Sequence, residues 1–170
     1  MSEPFIAVHN SLLEDELFVE CQTFAIKKFQ NEKKNMRTNY RCWEEGILKD
    51  SSVVYIYDLF QTNILYEKIV ETIKNKLKID NVKCIMFYYW TQNSHIPWHN
   101  DETHTGGITI YLNNIWDSDW GGIFLFETNN SINGIYPSRN VCVQQNGKVR
   151  HAVCPTTNRS EIRYTIQIFY

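Results

Sequence analysis

A succession of short β-strand patterns fills the second half of the sequence, from about residue 82 to the end. Seven segments rich in β-branched and aromatic residues follow one another there: VKCIMFYYW, GITIYLN, GIFLFE, INGIYP, NVCVQQ, VRHAV and IRYTIQIFY. Polar clusters such as NNIWDSDWGG and TTNRSE separate them and favour turns. Many short strands at this spacing predict a β-sandwich or a jelly roll.

Two helix patterns precede these strands. Apolar residues recur every three or four positions between Leu13 and Lys34, and again from Ile64 to the lysine-rich KNKLKID. The segment SVVYIYD between them predicts one more strand. Since no linker or repeat interrupts the 170 residues, we expect a single α+β, mainly β domain over 1–170, with helical support in 1–80 and the β core in 81–170.

Composition excludes several classes of function. The formal net charge of -2 provides no overall field for phosphate backbones, so a nucleic-acid partner is not expected. No apolar run reaches the roughly 20 residues that span a bilayer, and the first residues lack a secretory pattern, so we expect a soluble cytoplasmic protein without a membrane partner. Five scattered cysteines without a Cys-x-x-Cys pair argue against a disulfide framework and a structural zinc site.

A His-x-Asp pair stands between an aromatic run and a strand pattern, in IPWHNDETHTGGITIYLN. Residues i and i+2 of an extended chain project to the same side, so His99 and Asp101 are expected to converge on one ion. His151, 52 residues later in the apolar context KVRHAVCP, is a candidate third ligand. Two histidines and one carboxylate can occupy one face of an iron octahedron and leave three positions open.

A possible anion clamp follows 12 residues after His151. Arg163 begins the last strand pattern, and alternation puts Arg163, Thr165, Gln167 and Phe169 on one face. If that face points into a barrel, burial of the guanidinium requires an anion, and its planar fork matches a carboxylate, with the Thr165 hydroxyl adding a third hydrogen bond. If the face is solvated instead, Arg163 is an ordinary surface residue.

Together these motifs resemble the iron(II) and 2-oxoglutarate dependent oxygenases, and within them the prolyl 4-hydroxylase-like branch. The resemblance covers roughly residues 80 to 170, through HND, IYLN, GGIFLF, YPSRN, the later histidine and RYTIQIFY in the family's order. It implies a double-stranded β-helix in which His99, Asp101 and His151 bind iron and Arg163 holds the distal carboxylate of 2-oxoglutarate. The implied cofactors are Fe(II), 2-oxoglutarate and O2, with ascorbate as a further candidate.

The resemblance also indicates which tyrosines bind the cosubstrate. Tyr89, ten residues before His99, and Tyr111 in IYLN stand where family members place them. Tyr88 takes the role of Tyr89 if the strand register shifts by one residue. Residues that flank the expected site are candidate substrate contacts: His95, Trp98, Trp116 and Trp120. The alternatives are that His95 is an ordinary surface histidine and that Trp116 and Trp120 fold back into the core.

The resemblance implies an enzyme that converts 2-oxoglutarate to succinate and carbon dioxide while it hydroxylates an organic substrate, with a prolyl residue in a peptide or protein as the first hypothesis. A free amino acid or another small metabolite is the alternative. A nucleic-acid demethylase is disfavoured, because such enzymes typically carry a second arginine six residues after the first, where Phe169 stands here. A catalytically silent β-barrel binding module does not explain why all three ligands and the clamp are present. The sequence does not indicate the oligomeric state.

Overall fold

Two antiparallel β-sheets carry most of the chain in a computed structural model that describes residues 5–48, 50–128 and 131–170. The helices are α1 (Asp15–Glu32), α2 (Asn39–Cys42), α3 (Glu45–Leu48) and α4 (Ile64–Leu77). The strands are β1 (Ile6–His9), β2 (Arg37–Thr38), β3 (Val54–Leu59), β4 (Cys84–Trp90), β5 (Ile96–His99), β6 (Gly106–Tyr111), β7 (Phe124–Thr128), β8 (Ser131–Ile135), β9 (Cys142–Asn146), β10 (His151–Val153) and β11 (Arg163–Phe169).

The larger sheet has the strand order β1-β9-β6-β11-β4-β3-β2, and the smaller sheet has the order β5-β10-β7-β8. Every pairing within them is antiparallel. Apolar residues of both sheets form a shared cluster that includes Trp90 and Tyr111 from the larger sheet and Phe124 and Val153 from the smaller. The predicted mainly β jelly roll is confirmed.

Helices α1 and α4 cover the outer face of the larger sheet. Their apolar stripes are fully or almost fully buried there and belong to the main core, as shown by Phe18, Cys21, Ala25, Leu65, Ile69 and Ile73. Burial of each large apolar side chain stabilises the fold by about 1.5 to 3 kcal/mol. Asn63 caps the start of α4, where its side chain accepts a hydrogen bond from the Leu65 amide at 2.9 Å. None of the described helices is long and apolar enough to cross a membrane.

Strand β11 lies at the centre of the larger sheet and separates the core from the candidate site. Its residues Ile166 and Ile168 pack in the core beneath the helices. Arg163, Gln167 and Phe169 point to the opposite side and line a cavity between the sheets. The period of two along one strand therefore places apolar residues against the helices and polar residues in the cavity.

Three strands that the sequence patterns did not predict lie at sheet edges. Strands β1 and β2 are the two edges of the larger sheet, and β5 is an edge of the smaller one. Proline is tolerated in edge strands because they need fewer backbone donors, and β5 contains Pro97. Edge strands lack the continuous apolar signal of central strands, so the patterns identified mainly strands with two neighbours.

Candidate active site

His99, Asp101 and His151 come together at one end of the cavity between the sheets. Each offers one ligand atom, and these atoms all lie within 4.8 Å of one another. Nε2 of His99 is 3.8 Å from Oδ1 of Asp101, and Nε2 of His151 is 3.6 Å from Oδ2 of Asp101. The three residues therefore form a compact group that could hold a metal ion.

Both histidines are held by backbone carbonyls. Nδ1 of His99 contacts the Pro97 carbonyl at 2.8 Å, and Nδ1 of His151 contacts the Val149 carbonyl at 2.9 Å. These contacts assign the proton to Nδ1 in each ring and leave the Nε2 lone pair for a metal. Burial, with a smaller effect of His99, lowers the pKa of His151 to about 4, so its imidazole is neutral at physiological pH.

Asp101 reaches the group from a turn rather than from a strand. We expected His99 and Asp101 to project to the same side of one extended strand. Strand β5 ends at His99, so this expectation holds for His99 but not for Asp101. The Asp101 amide donates to the Gly147 carbonyl at 3.0 Å. A Cβ atom on Gly147 would lie 2.5 Å from the Asp101 carbonyl oxygen, so this close approach requires glycine.

Arg163 lies in the same cavity and is 1% exposed. Its guanidinium stacks on Trp90 at 4.3 Å from the ring centroid and donates to the Gly122 carbonyl. Its Nε has no hydrogen-bond partner, and no carboxylate of the described residues forms an ion pair with it. Burial lowers the pKa of Arg163 to about 10. A buried cation without a counter-charge suits an anionic ligand.

The Gly121-Gly122 pair lets the main chain approach this arginine. Both residues have positive φ angles, 69° and 68°. A Cβ atom on Gly122 would lie 3.0 Å from Nη1 of Arg163. Glycine at both positions therefore permits these positive φ angles, and at Gly122 it also permits the close approach to Arg163.

The predicted cosubstrate tyrosines divide between the two faces of the larger sheet. Tyr111 lines the cavity beside Arg163, and burial raises the pKa of Tyr111 to about 12. Tyr89 instead packs in the helix-side core, stacked on Phe29 at 5.1 Å. Tyr88, its neighbour, lines the cavity. The expectation that Tyr89 faces the site is therefore wrong by one residue: Tyr88 faces the cavity, because adjacent strand residues face opposite sides.

Thr165 lies on the cavity side of β11 but is covered by an aromatic ring. Its Oγ1 accepts a hydrogen bond from Trp90 Nε1 at 3.1 Å, and the residue is 1% exposed. It does not line the cavity. The structure places Thr165 beneath Trp90. Its hydroxyl therefore does not face the cavity, where we expected it to contact a bound ligand.

None of the four predicted substrate residues lines the cavity. Trp116 donates from Nε1 to the Gly121 carbonyl at 2.9 Å and contacts Trp120 edge to face at 5.2 Å. Trp98 stacks against Arg150 at 5.3 Å, and the His95 carbonyl accepts from Ser51. The Trp116 side chain thus bonds to the backbone of its own connection, and neither tryptophan lines the cavity that holds the metal group.

Several cavity residues were not singled out from the sequence. Gln145 and Gln167 present carboxamides near the metal group, and Phe169 closes one side. Gln167 is oriented by Thr109, whose Oγ1 donates to Oε1 at 2.7 Å. The alternation that identified Arg163 also marks Gln167 and Phe169, whereas Gln145 reaches the site only because β9 pairs with β6.

An outer groove adjoins the cavity and shares four residues with it: Tyr88, His99, Asp101 and Phe169. It has a volume of 530 Å³ and is also lined by apolar side chains, including Trp43, Ile47, Ile56 and Met86. That volume is within the range of ligand sites. A substrate in the outer groove could therefore reach the metal group while a smaller ligand occupies the inner cavity beside Arg163.

A larger groove of 950 Å³ between α1 and α4 lacks comparable chemistry. Two of its lysines pair with acidic neighbours, Lys68 with Glu20 at 2.7 Å and Lys76 with Glu14. Among the described residues it contains no group of metal-ligating side chains. Among the described residues, the candidate metal ligands and the buried Arg163 both lie in the cavity between the two sheets.

The donor set suits a specific metal and a specific class of ligand. Two imidazole nitrogens and one carboxylate match the facial arrangement that proteins use for non-haem iron(II), with positions left open for other ligands. The unpaired Arg163 in the same cavity matches a carboxylate. The residues present therefore fit both iron and 2-oxoglutarate.

Comparison with known proteins agrees with this chemistry. A sequence model described as the 2OG-Fe(II) oxygenase superfamily matches residues 84–170, just over half of the chain. No curated protein matches the chain by sequence.

Solved structures of low sequence identity share the fold. A prolyl hydroxylase from Trichoplax adhaerens, in complex with a hypoxia inducible factor oxygen degradation domain peptide fragment, matches with a TM-score of 0.80 and 15% identity over 97% of this chain and 82% of that one. A Pseudomonas putida prolyl-4-hydroxylase matches with a TM-score of 0.74 and 14% identity over 96% and 90% of the two chains. The viral collagen prolyl hydroxylase of Paramecium Bursaria Chlorella virus-1, in its 2OG complex, gives 0.69 and 15% over 97% and 94%.

Members of the matching family use Fe(II) and 2-oxoglutarate, and the group His99, Asp101 and His151 is compatible with iron binding. With the family match, the antiparallel jelly roll and this donor set in agreement, the chain belongs to the 2OG-Fe(II) oxygenase superfamily.

Proposed function

We propose that this protein hydroxylates a prolyl residue in a peptide or protein, with 2-oxoglutarate as cosubstrate. His99, Asp101 and His151 hold the iron, and Arg163 binds the distal carboxylate of 2-oxoglutarate. Bound iron would supply the redox chemistry that couples oxidative decarboxylation of 2-oxoglutarate to hydroxylation of the substrate by O2, with one oxygen atom entering succinate and the other entering a C–H bond of the substrate.

The observation that carries the proposal is the common cavity of the metal group and Arg163. A buried guanidinium without a protein carboxylate is costly, and a ligand carboxylate offsets that cost through two parallel hydrogen bonds. The donation from Arg163 to the Gly122 carbonyl fixes one side of the guanidinium. Tyr111 and Tyr88 line the same cavity and limit the space available to the cosubstrate.

The choice of a peptide substrate rests on the outer groove and on the relatives. The groove is open to solvent, is lined by both apolar and polar side chains, and includes two of the three candidate metal ligands, His99 and Asp101. Its volume exceeds what a single free proline needs. The structural relative from Trichoplax adhaerens was solved with a peptide fragment, which supports a peptide in the corresponding place here.

The test is succinate formation from 2-oxoglutarate by the purified, Fe(II)-loaded protein. Matched peptides that differ only by proline or alanine at one position are compared with free proline and other free amino acids. We expect only the proline peptides to stimulate succinate formation and to gain one oxygen atom, as located by mass spectrometry. His151→Ala protein is the control for background decay of 2-oxoglutarate.

Two outcomes contradict the proposal in different ways. Stimulation by free amino acids without stimulation by any peptide would support the small-molecule alternative. If no peptide or amino acid stimulates succinate formation and the protein does not bind 2-oxoglutarate, the proposed oxygenase activity is wrong.

A further inference from the structure

Gln145 touches two of the three candidate metal ligands. Its Nε2 lies 3.1 Å from Oδ2 of Asp101 and 3.2 Å from Nε2 of His151. The residue is 4% exposed, and its own strand position is fixed by pairing with Gly107 on β6 and Ile6 on β1. Its carboxamide therefore has little freedom to point elsewhere.

The chemistry of the partners fixes which end of the carboxamide faces them. A carboxylate oxygen only accepts hydrogen bonds, and Nε2 of His151 accepts because Nδ1 holds its proton toward the Val149 carbonyl. The NH2 group of Gln145 has two hydrogens, one for each acceptor. One neutral side chain thus donates hydrogen bonds to a carboxylate and to an imidazole that are both candidate metal ligands.

Gly107 lies directly beside this contact. A Cβ atom on Gly107 would lie 3.6 Å from both Asp101 Oδ2 and Gln145 Nε2, and 3.4 Å from Gln167 Nε2. A larger side chain at position 107 would enter the space between these groups. Glycine here leaves the Gln145–Asp101 hydrogen bond undisturbed.

We propose that Gln145 is a positioning residue of the metal centre that holds Asp101 as a one-oxygen ligand. Its N–H engages Oδ2, which leaves Oδ1, on the side of His99, for the metal. A carboxylate that binds through both oxygens takes an additional coordination position, whereas 2-oxoglutarate and oxygen need the open positions. When a metal takes the Nε2 lone pair of His151, Gln145 loses that contact and keeps the one to Asp101. This inference rests on the proposed metal site and not on the identity of the substrate.

The first experiment compares Gln145→Met with Gln144→Met. Methionine keeps the length of the side chain but removes the donor. Gln144 is the neighbouring strand residue, and its Oε1 lies 3.0 Å from His9 Nε2, away from the metal group. We expect Gln145→Met to weaken Mn(II) binding about tenfold or more in calorimetric titration, as for other residues that orient metal ligands. Gln144→Met should bind Mn(II) like the unmodified protein.

Melting temperatures of the metal-free proteins separate positioning from a general loss of structure. Gln145→Met should melt within a few degrees of the unmodified protein and yet gain less stability from Mn(II). Unchanged Mn(II) affinity in folded Gln145→Met would overturn the inference. If that variant does not fold, Gln145→Asn is used, because its shorter side chain keeps the amide but withdraws it from Asp101.

A second measurement uses the unmodified protein and a diamagnetic ion. With 15N-labelled glutamine, the Gln145 side-chain NH2 signals should shift when Zn(II) is added, because one hydrogen bond is lost, and the remaining bond to Asp101 should keep one proton protected from exchange. Signals that do not move while Zn(II) binds would also contradict the inference. Both measurements omit substrate, so failure of prolyl hydroxylation alone leaves their results unaffected, whereas loss of all metal binding in the unmodified protein would defeat both proposals.

Discussion

His99 and His151 stand directly opposite each other on the antiparallel strands β5 and β10, with their ring centroids 4.2 Å apart. The 51 residues between them include the strands β6 to β9. Cross-strand pairing therefore sets the distance between two candidate ligands, and the turn after β5 adds Asp101. A metal site built on paired strands is rigid, which suits an enzyme whose ligands must stay in place while other ligands exchange.

The first prediction concerns His151. Because His151 is one of the three proposed protein ligands, His151→Ala should lower Mn(II) affinity by about 100-fold or more, beyond the 10- to 100-fold typical of residues that only orient a ligand. Calorimetric titration measures this. His104→Ala is the matched control, since the His104 ring stacks on Phe169 at 4.2 Å outside the group of three. Equal affinities of the two variants would argue against the assigned site.

The second prediction concerns Arg163. Arg163→Met removes the charge but keeps an apolar side chain of similar length, so 2-oxoglutarate binding to the Mn(II)-loaded protein should weaken by about 2 to 5 kcal/mol. Mn(II) binding itself should persist. The control is Arg159→Ala, because Arg159 is exposed. If Arg159→Ala rather than Arg163→Met weakens 2-oxoglutarate binding, the clamp has been assigned to the wrong arginine.

The third prediction separates the two adjacent tyrosines. Tyr88 lines the cavity, so Tyr88→Phe should weaken 2-oxoglutarate binding by about 0.5 to 1.5 kcal/mol, the usual contribution of one hydrogen bond. The Tyr89 hydroxyl is buried without a partner among the described residues, so Tyr89→Phe should leave binding unchanged and leave the melting temperature equal or higher. Reversed effects in the binding titration would restore the original choice of Tyr89.

The fourth prediction concerns Trp116, which the sequence suggested as a substrate contact. It is 6% exposed, so Trp116→Ala should lower the free energy of unfolding by about 3 to 5 kcal/mol in denaturant titration. Trp120→Ala should cost less stability, because Trp120 is only partly buried. Preserved stability together with lost substrate-dependent turnover in Trp116→Ala would support the substrate role instead.

Strand periodicity explains where the sequence was informative and where it was not. Alternation along β11 identified the face that carries Arg163. Successive side chains of a strand point to opposite faces of the sheet, and pairing with β6 and β4 on either side does not alter this alternation. The same rule failed by one residue at Tyr89, since the run FYYW is aromatic on both faces and its sequence gives no register. Only pairing with β3 and β11, one on each side, assigned Tyr88 to the cavity.

The sequence by itself determined the donor types, the order of the strands that carry them and the class of chemistry they allow. Those properties depend only on which residue types stand in the chain and in which order, and folding changes neither. Tertiary structure alone decided the contact of Gln145 with Asp101, the need for Gly147 and the withdrawal of Trp116 from the site. These depend on distances between segments far apart in the chain, and such distances are set by sheet pairing and core packing rather than by any local pattern.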